Sequence, residues 1–381
     1  MAGDVASAWI AAGASMTVAL ISLGTAIWTN VRGDRIRRQQ DETARALEEL
    51  KSRLGEEKDA AKAKRDYEYD ARKRLYAELY PLAFQLHETA LAASNRIRNL
   101  ALASGGGWLA ESDDNWLTGG DPYYFHSVIH ALIAPLAVYE LMTRKLTLLD
   151  LTLDRDLHRL HFISRRAYLA LRSDFDLVDP RYPPVEFGPG NPRYAPPETR
   201  LTTLPDPLRQ RWIWRQGLYS GQVGQAVDAL LLTQDGTTRV MTYAEFARAL
   251  GGADLRTDDD PGGSAGQIKA ALRPLSDVFR DFHPARRPVT WRILLSQAAC
   301  YRAISAMQAG PASPEAIARA ARFEGAPDRA AFDWIGDGTK SVPAALRQKI
   351  DFAAERDAAF AAADRFVGAA LTDFARRHEH A

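Results

Sequence analysis

The strongest constraint on this chain is an uncharged stretch of 27 residues near its beginning, from Val5 to Val31. A helix rises about 1.5 Å per residue, so about 20 apolar residues cross the hydrocarbon core of a bilayer. Tryptophan prefers the lipid–water interface, and Trp9 and Trp28 stand near the two ends of the stretch. The sequence therefore predicts a transmembrane anchor over residues 1–31.

Basic residues follow this stretch and predict its orientation. The segment that follows the stretch contains four arginines and a single acidic residue. The arginines are Arg32, Arg35, Arg37 and Arg38. Because positively charged flanks stay on the cytoplasmic side, we expect a single-pass protein of the plasma (inner) membrane. Its N-terminus would lie outside and its large C-terminal domain in the cytoplasm. The four arginines and the two tryptophans are the predicted membrane-interface residues.

Two other interpretations of the stretch are open. A cleaved signal peptide carries its basic residues before a shorter apolar core, whereas here they come after it. A helix in the core of a soluble domain needs apolar partners on all its faces, and the segment that follows is too polar to supply them. The membrane span is the interpretation that fits the pattern best.

Residues 32–66 are highly charged, with acids and bases interleaved. Pairs such as Glu49 and Arg53 place the acid four residues before the base, which is the favourable order on a helix. Leu47, Leu50 and Leu54 form a single apolar seam, too short for a long coiled coil. We expect a helical juxtamembrane stalk and a homo-oligomer that forms through the span and the stalk.

The rest of the chain has mostly helical patterns, and no convincing strand pair is recognised. Residues 67–179 are predicted to form the first part of a helical bundle, and residues 208–381 the second part. Between them, residues 180–207 contain nine prolines in 28 positions, which excludes a regular helix. This segment is either a linker or a loop draped over the bundle. The predicted fold class is therefore all-α: one transmembrane helix, a charged helical stalk and a cytoplasmic helical bundle.

Four local patterns give more detailed expectations. A helix of about 35 residues is predicted from Tyr69, kinked near Pro81. The apolar segment 123–142 contains two histidines and a glutamate, which favours a soluble core helix over a second span. Thr242 and Glu245 have the spacing of a capping box. A long final helix is predicted from about residue 342 to residue 378, with Ser341 as its cap.

Composition limits the possible partners. The net charge is +1, so no overall field attracts nucleic acid. The segment 209–216, RQRWIWRQ, interleaves arginines with tryptophans, which could stack on bases, but an amphipathic segment that buries its indoles is the better explanation and a nucleic-acid partner is not expected. The single cysteine, Cys300, excludes an intrachain disulfide, and its apolar surroundings indicate a small core residue.

One set of residues could carry metal chemistry. The candidate ligands fall on two predicted helices and are His126, His130, Asp154, His158 and His161. If these helices are antiparallel neighbours, the five side chains could meet at a divalent metal, as in the metal sites of helical bundles. The alternative is that the first two histidines belong to the core and that the aspartate faces water. No other cofactor is predicted.

A second pattern places Asp357 and Asp364 seven residues apart near the apolar stripe of the last helix. Paired carboxylates can perform acid–base work when one of them is desolvated. The alternative is that they border the stripe and pair with a nearby arginine such as Arg356 or Arg365.

These observations support three hypotheses about function. The leading one is a membrane-anchored helical protein that acts by binding, as a scaffold, sensor or adaptor at the cytoplasmic face. Its partners would be the lipid bilayer, further copies of itself and an unidentified protein. The alternatives are a membrane-tethered, metal-dependent hydrolase that uses the histidine and aspartate set, and a membrane-associated effector that inhibits growth. No established catalytic motif is recognised, which favours a binding role over an enzyme.

Overall fold

The structure is a computed structural model. It describes residues 60–109, 117–172, 177, 184–186, 192–194, 217–280, 282–285, 287–308, 313–336 and 351–378. The chain divides into two compact units, Met1–Ala77 and Glu78–Ala381. The described part of the first unit is the beginning of one helix. The predicted transmembrane anchor, its interface residues and most of the stalk lie outside the described residues and stay predictions.

Nine α-helices and two short hairpins make up the described residues. The helices are α1 (Ala60–Gly105), α2 (Tyr123–Lys145), α3 (Arg155–Ala170), α4 (Ser220–Asp228), α5 (Tyr243–Leu250), α6 (Gly263–Phe279), α7 (Pro288–Gln308), α8 (Pro314–Ala321) and α9 (Phe352–His378). The strands are β1 (Pro184–Glu186), β2 (Pro192–Tyr194), β3 (Leu231–Gln234) and β4 (Thr237–Val240). The all-α fold class is confirmed.

Helix α7 lies at the centre of the second unit. Nearly every residue from Pro288 to Ile304 is buried, because apolar side chains occur on all faces of this helix and it must be covered all round. It packs against α3, α8 and α9. Cys300 lies fully buried on this helix, and burial raises the pKa of its thiol to about 12, as expected for a core residue.

Helix α2 has the length and composition of a membrane span, the single case among the described residues. However, 89% of its most apolar window is buried inside the protein. It packs against α3, α4 and α5. This burial favours a core helix for the segment over a second span.

Helices from both sides of the proline-rich segment 180–207 pack together within the second unit, since α3 contacts α7 and α9. Within that segment the structure describes only β1 and β2, which pair antiparallel with Val185 opposite Arg193. The remainder of the predicted linker or draped loop lies outside the described residues.

The expectation that the chain has no strand pair is wrong. Strands β3 and β4 pair antiparallel, with Leu231 opposite Val240 and Gln234 opposite Thr237. The two residues between them, Asp235 and Gly236, both have positive φ, as a two-residue hairpin turn requires. Asp-Gly is the sequence signal for that turn, and the mainly helical pattern on either side obscured it.

One of the local expectations is confirmed, and the two expected long helices agree only in part. Thr242 and Glu245 form the predicted capping box at the start of α5. Helix α1 is longer than predicted, with 46 residues, and Pro81 lies inside it. Helix α9 is described from Phe352, so the predicted start of this helix and its Ser341 cap lie outside the described residues.

Candidate functional site

The five predicted metal ligands are held by separate structural contacts. At the start of α2, the Nε2 atom of His126 accepts a hydrogen bond from the backbone N–H of Leu255 at 3.2 Å and lies 3.7 Å from the Asp254 carboxylate. Burial lowers the pKa of His126, while Asp254 acts in the opposite direction. A ring nitrogen that accepts an amide hydrogen bond must be deprotonated, so His126 is neutral in the folded protein.

One turn further along α2, His130 contacts a different element. Its Nε2 atom lies 3.0 Å from the backbone carbonyl oxygen of Met241, so this nitrogen carries the proton and donates it. The ring packs between Tyr243 and Phe246, with centroids 5.7 and 5.4 Å away. Burial lowers the pKa of His130. This hydrogen bond joins α2 to the segment before α5.

The remaining three candidates lie on or beside α3. Asp154 caps that helix by accepting hydrogen bonds from the backbone N–H groups of Asp156 and Leu157. The ring of His158 packs edge-on against Phe374, with centroids 5.2 Å apart. Nε2 of His161 lies 3.3 Å from the hydroxyl of Thr143. Burial, with His158 and Arg165 nearby, lowers the pKa of His161 to about 4.

Each of the five residues thus has its own contact. Asp154 is an N-cap, His158 makes a ring contact, and the other three histidines each make a hydrogen bond. Among the described residues, no group of three or more histidine, cysteine, aspartate or glutamate side chains is placed to hold a metal ion. Asp154 faces the backbone of its own helix, as capping residues do. The geometry gives these five residues roles in holding helices together.

The guanidinium group of Arg256 strengthens the same region. Its Nε and Nη2 atoms donate to the carboxylate of Asp254 at 2.7–3.0 Å. Its Nη1 and Nη2 atoms also donate to the backbone carbonyl oxygens of Thr118, Gly119 and Gly120. One arginine therefore fixes the turn that precedes α2 to the turn that follows α5, with the neutral His126 beside them.

A groove of about 730 Å³ lies between the end of α8 and helix α9. We call it the arginine groove. Its charged residues are Arg322, Glu324, Arg329, Asp357, Asp364 and Arg365, and its uncharged residues are Phe360, Ala361, Gly368 and Ala369. Small side chains on α9 leave the space, and an aromatic ring forms part of the lining.

The carboxylate of Asp364 fixes one wall of the arginine groove. It accepts hydrogen bonds from the backbone N–H groups of Phe323 at 2.7 Å and Glu324 at 3.0 Å. The ring of Phe323 is fully buried and packs against Phe332 and Phe360, with centroids 5.1 Å away in both cases. The segment after α8 is therefore attached to α9 by both polar and apolar contacts.

A second carboxylate of the groove is neutralised by arginines. Asp357 accepts from Arg329 and from Arg356, each at 3.0 Å, and these arginines lower the pKa of its carboxyl group. The pairing of Asp357 with Arg356 agrees with the alternative given above from the sequence, in which Asp357 pairs with a nearby arginine. Arg329 also lies over the ring of Phe360 at 4.6 Å. Neither Asp357 nor Asp364 is thus a free acid or base.

Two cations of the groove are left without such partners. Within the described part of the chain, neither Arg322 nor Arg365 forms an ion pair, and both side chains are exposed. The remaining exposed carboxylate of the lining is Glu324. Sequence reasoning did not place Arg322 in a site, because Arg322 and Arg365 lie far apart in the chain and share no local pattern.

A second cavity of about 570 Å³ lies at the start of α6. Most of its charges are paired with one another: Asp258 lies 3.0 Å from Arg280 and 3.3 Å from Arg273, and Asp259 lies 2.5 Å from the buried Lys269. These ion pairs hold the loop 257–262 against helix α6. In the arginine groove, by contrast, two arginines form no ion pair with the described residues.

Comparisons with protein-family models, with curated proteins and with solved structures each find no match.

Proposed function

We propose that this protein is a membrane-anchored helical protein that acts by binding an acidic segment of a partner protein at the cytoplasmic face of the membrane. The anchoring part rests on the uncharged stretch 5–31 and its arginine flank. The binding part rests on one structural observation: Arg322 and Arg365 are exposed in the groove beside Phe360 and form no ion pair with any residue that the structure describes.

The chemistry of the groove indicates an anionic ligand. A guanidinium group binds carboxylates through two parallel hydrogen bonds, and such charge-assisted bonds are stronger than neutral ones. Because Asp357 and Asp364 are already satisfied by other donors, they compete little for these arginines. Ala361 and Ala369, which are both exposed, supply an uncharged surface against which an apolar side chain of the partner can pack.

The rigidity of the groove also supports binding. Preformed sites lose less conformational entropy when a ligand arrives. The wall at Phe323 and Glu324 is fixed by Asp364, and the wall on α9 belongs to a helix of 27 residues.

Site-specific photocrosslinking in native membranes tests this proposal. A photoreactive residue replaces Ala361 in the full chain, and a discrete protein adduct is expected. The adduct should be lost in the double variant R322A/R365A. It should persist in the matched double variant R376A/R377A, since those two exposed arginines belong to α9 but do not line the groove.

Two outcomes would contradict the binding role of the groove. One is an adduct that survives in R322A/R365A at the wild-type level. The other is the formation of lipid adducts alone from position 361, which would assign the groove to the membrane surface.

A further inference from the structure

Two histidines of α2 hold the two ends of α5 through hydrogen bonds of opposite direction. Before the start of α5, Nε2 of His130 donates its proton to the backbone carbonyl oxygen of Met241 at 3.0 Å. Beyond the end of α5, Nε2 of His126 accepts a hydrogen bond from the backbone N–H of Leu255 at 3.2 Å. A protonated imidazole is a donor at both ring nitrogens and an acceptor at neither. Acid therefore leaves the first contact intact and removes the second.

The His126 ring has a second partner close to the same nitrogen. Oδ1 of Asp254 lies 3.7 Å from Nε2, and the side chain of Asp254 is 24% exposed while that of His126 is 9% exposed. The carboxylate therefore connects the buried ring to solvent. After Nε2 gains a proton it can donate to Asp254, whereas before that it accepts from Leu255. One nitrogen thus has two alternative contacts, and the proton selects between them.

The same exchange acts on Arg256, which holds the neighbouring turns together. Its guanidinium group donates to the Asp254 carboxylate and to the carbonyl oxygens of residues 118–120. A charged His126 ring competes for that carboxylate and repels the guanidinium group. Both effects weaken the connection between the turn before α2 and the turn after α5. Leu117 and Leu255, which are each 1% exposed, lie beside this connection, so its opening uncovers apolar surface.

The charges around His126 come from these two turns. Burial lowers the pKa of the ring and Arg256 adds to this effect, while Asp254 and Asp121 act in the opposite direction. The charged partners that α3 and α4 offer to α2 lie at its other end, where they contact Thr143 and Arg144. On α6 the cations that line the adjoining cavity are paired with carboxylates, Lys269 with Asp259 and Arg273 with Asp258.

The segment 241–257 itself has no histidine, and its two carboxylates titrate at lower pH. Hydrogen bonds from Arg239 and Thr242 lower the pKa of Glu245 to about 2. Burial acts to raise the pKa of Asp254, but the hydrogen bonds from Arg256 outweigh it and the pKa is lowered. A change in this segment between neutral pH and pH 5 is therefore expected to originate at His126.

We propose that His126 is an acid-sensitive latch: the neutral ring holds the turn after α5 against α2, and the protonated ring exchanges Leu255 for Asp254 and releases that turn before the helical bundle unfolds. In the open form the ring regains the ordinary histidine pKa of 6.5, whereas in the closed form the pKa is lower. The open form therefore binds more protons and is favoured as the pH falls below 6.5. At pH 5 this favours opening by at most about 30-fold.

Hydrogen–deuterium exchange of the purified full chain, followed by mass spectrometry, tests the latch. Exchange is compared at pH 7.5 and pH 5.0, with labelling times matched for the chemical exchange rate. Peptides that cover residues 251–257 should lose protection by about 3- to 30-fold at the lower pH. Peptides that cover residues 237–242, where His130 donates in either protonation state, and peptides of α7 should keep their protection. Unchanged protection of 251–257, or its loss only together with α7, would overturn the proposal.

Two variants locate the effect at His126. In H126Q the amide oxygen can accept from Leu255 at either pH, so the difference between the two pH values should disappear. D254N keeps the histidine but removes a carboxylate that favours the charged ring, so the midpoint of the change should move to lower pH. A pH dependence that persists in folded H126Q would overturn the latch. If H126Q does not fold, D254N decides, and an unchanged midpoint in that variant would overturn the exchange of contacts.

Discussion

Arg292 and Glu355 form an ion pair inside the helical bundle, joining the buried first half of α7 to the beginning of α9. Nη2 of Arg292 lies 3.1 Å from Oε2 of Glu355, and the two side chains are only 3% and 12% exposed. Nη1 of the same arginine donates to the backbone carbonyl oxygen of Leu177 at 3.1 Å. One charged group thus connects three parts of the second unit.

Removing one member of this pair should destabilise the protein strongly. E355A leaves the guanidinium of Arg292 buried without its charge partner, and breaking such a pair typically costs about 3 to 5 kcal/mol. Chemical denaturation followed by circular dichroism measures the change. The double variant R292M/E355L removes both charges, so its loss should be smaller than that of E355A. A double variant less stable than E355A would contradict this account of the pair.

The carboxylate of Asp364 should be important for stability although it borders a groove. D364N replaces one of the two acceptor oxygens with an NH2 group, which repels the one backbone N–H that it faces, either that of Phe323 or that of Glu324, so a loss of about 1 to 3 kcal/mol is expected. D357N is the control, since Asp357 takes part only in exposed ion pairs and its replacement should cost less than about 1 kcal/mol. Equal losses in the two variants would show that the backbone hydrogen bonds of Asp364 contribute little.

His161 should make the folded protein sensitive to acid. Its folded pKa is about 4, against 6.5 for an unperturbed histidine. The unfolded chain therefore binds more protons between these values, and the free energy of unfolding falls as the pH drops from 6.5 towards 4. The contribution of this group is on the order of 3 kcal/mol. The lowered pKa values of His126 and His130 act in the same direction.

The variant H161N tests this effect. Denaturation at a series of pH values should show a shallower loss of stability between pH 6.5 and 4 than in the parent protein. An unchanged slope would contradict the assignment of a neutral, buried imidazole at this position.

Replacing each of two glycines with alanine should change the free energy of unfolding in opposite directions. Gly236 has a φ of +74° in the β3–β4 turn, where a side chain is strained, so G236A should lose about 1 kcal/mol. Gly224 lies inside α4 with nothing within 4 Å of a built Cβ, so G224A should gain about 0.5 to 1 kcal/mol. Thermal denaturation of both variants measures the difference, and a stabilising G236A would contradict the turn geometry.

The helical class followed from sequence because apolar residues recur at helical spacing over long segments such as α1, α7 and α9. The capping box of Thr242 and Glu245 was recognised for a similar reason, since both of its residues lie within one turn. The β3–β4 hairpin was missed, although Asp235 and Gly236 carried its signal, because its strands are only four residues long.

The candidate sites were harder to predict because they depend on contacts between distant segments. His126, His130 and His158 have metal-like spacing, but the structure gives each ring a partner from another element: Leu255, Met241 and Phe374. No local pattern reveals such partners. In the same way, Arg322 and Arg365 come together only through the packing of the segment after α8 onto α9.

The central claim is that residues 1–31 anchor the helical domain at the inner face of the membrane. The most direct measurement is the topology and fractionation of the full chain, with reporters fused at its two ends. We expect it in the membrane fraction after a high-salt wash, with the C-terminal reporter cytoplasmic and the N-terminal reporter outside, and we expect release of a chain that lacks residues 1–31. Recovery of the full chain in the soluble fraction without detergent, or a C-terminal reporter on the outside, would contradict the account.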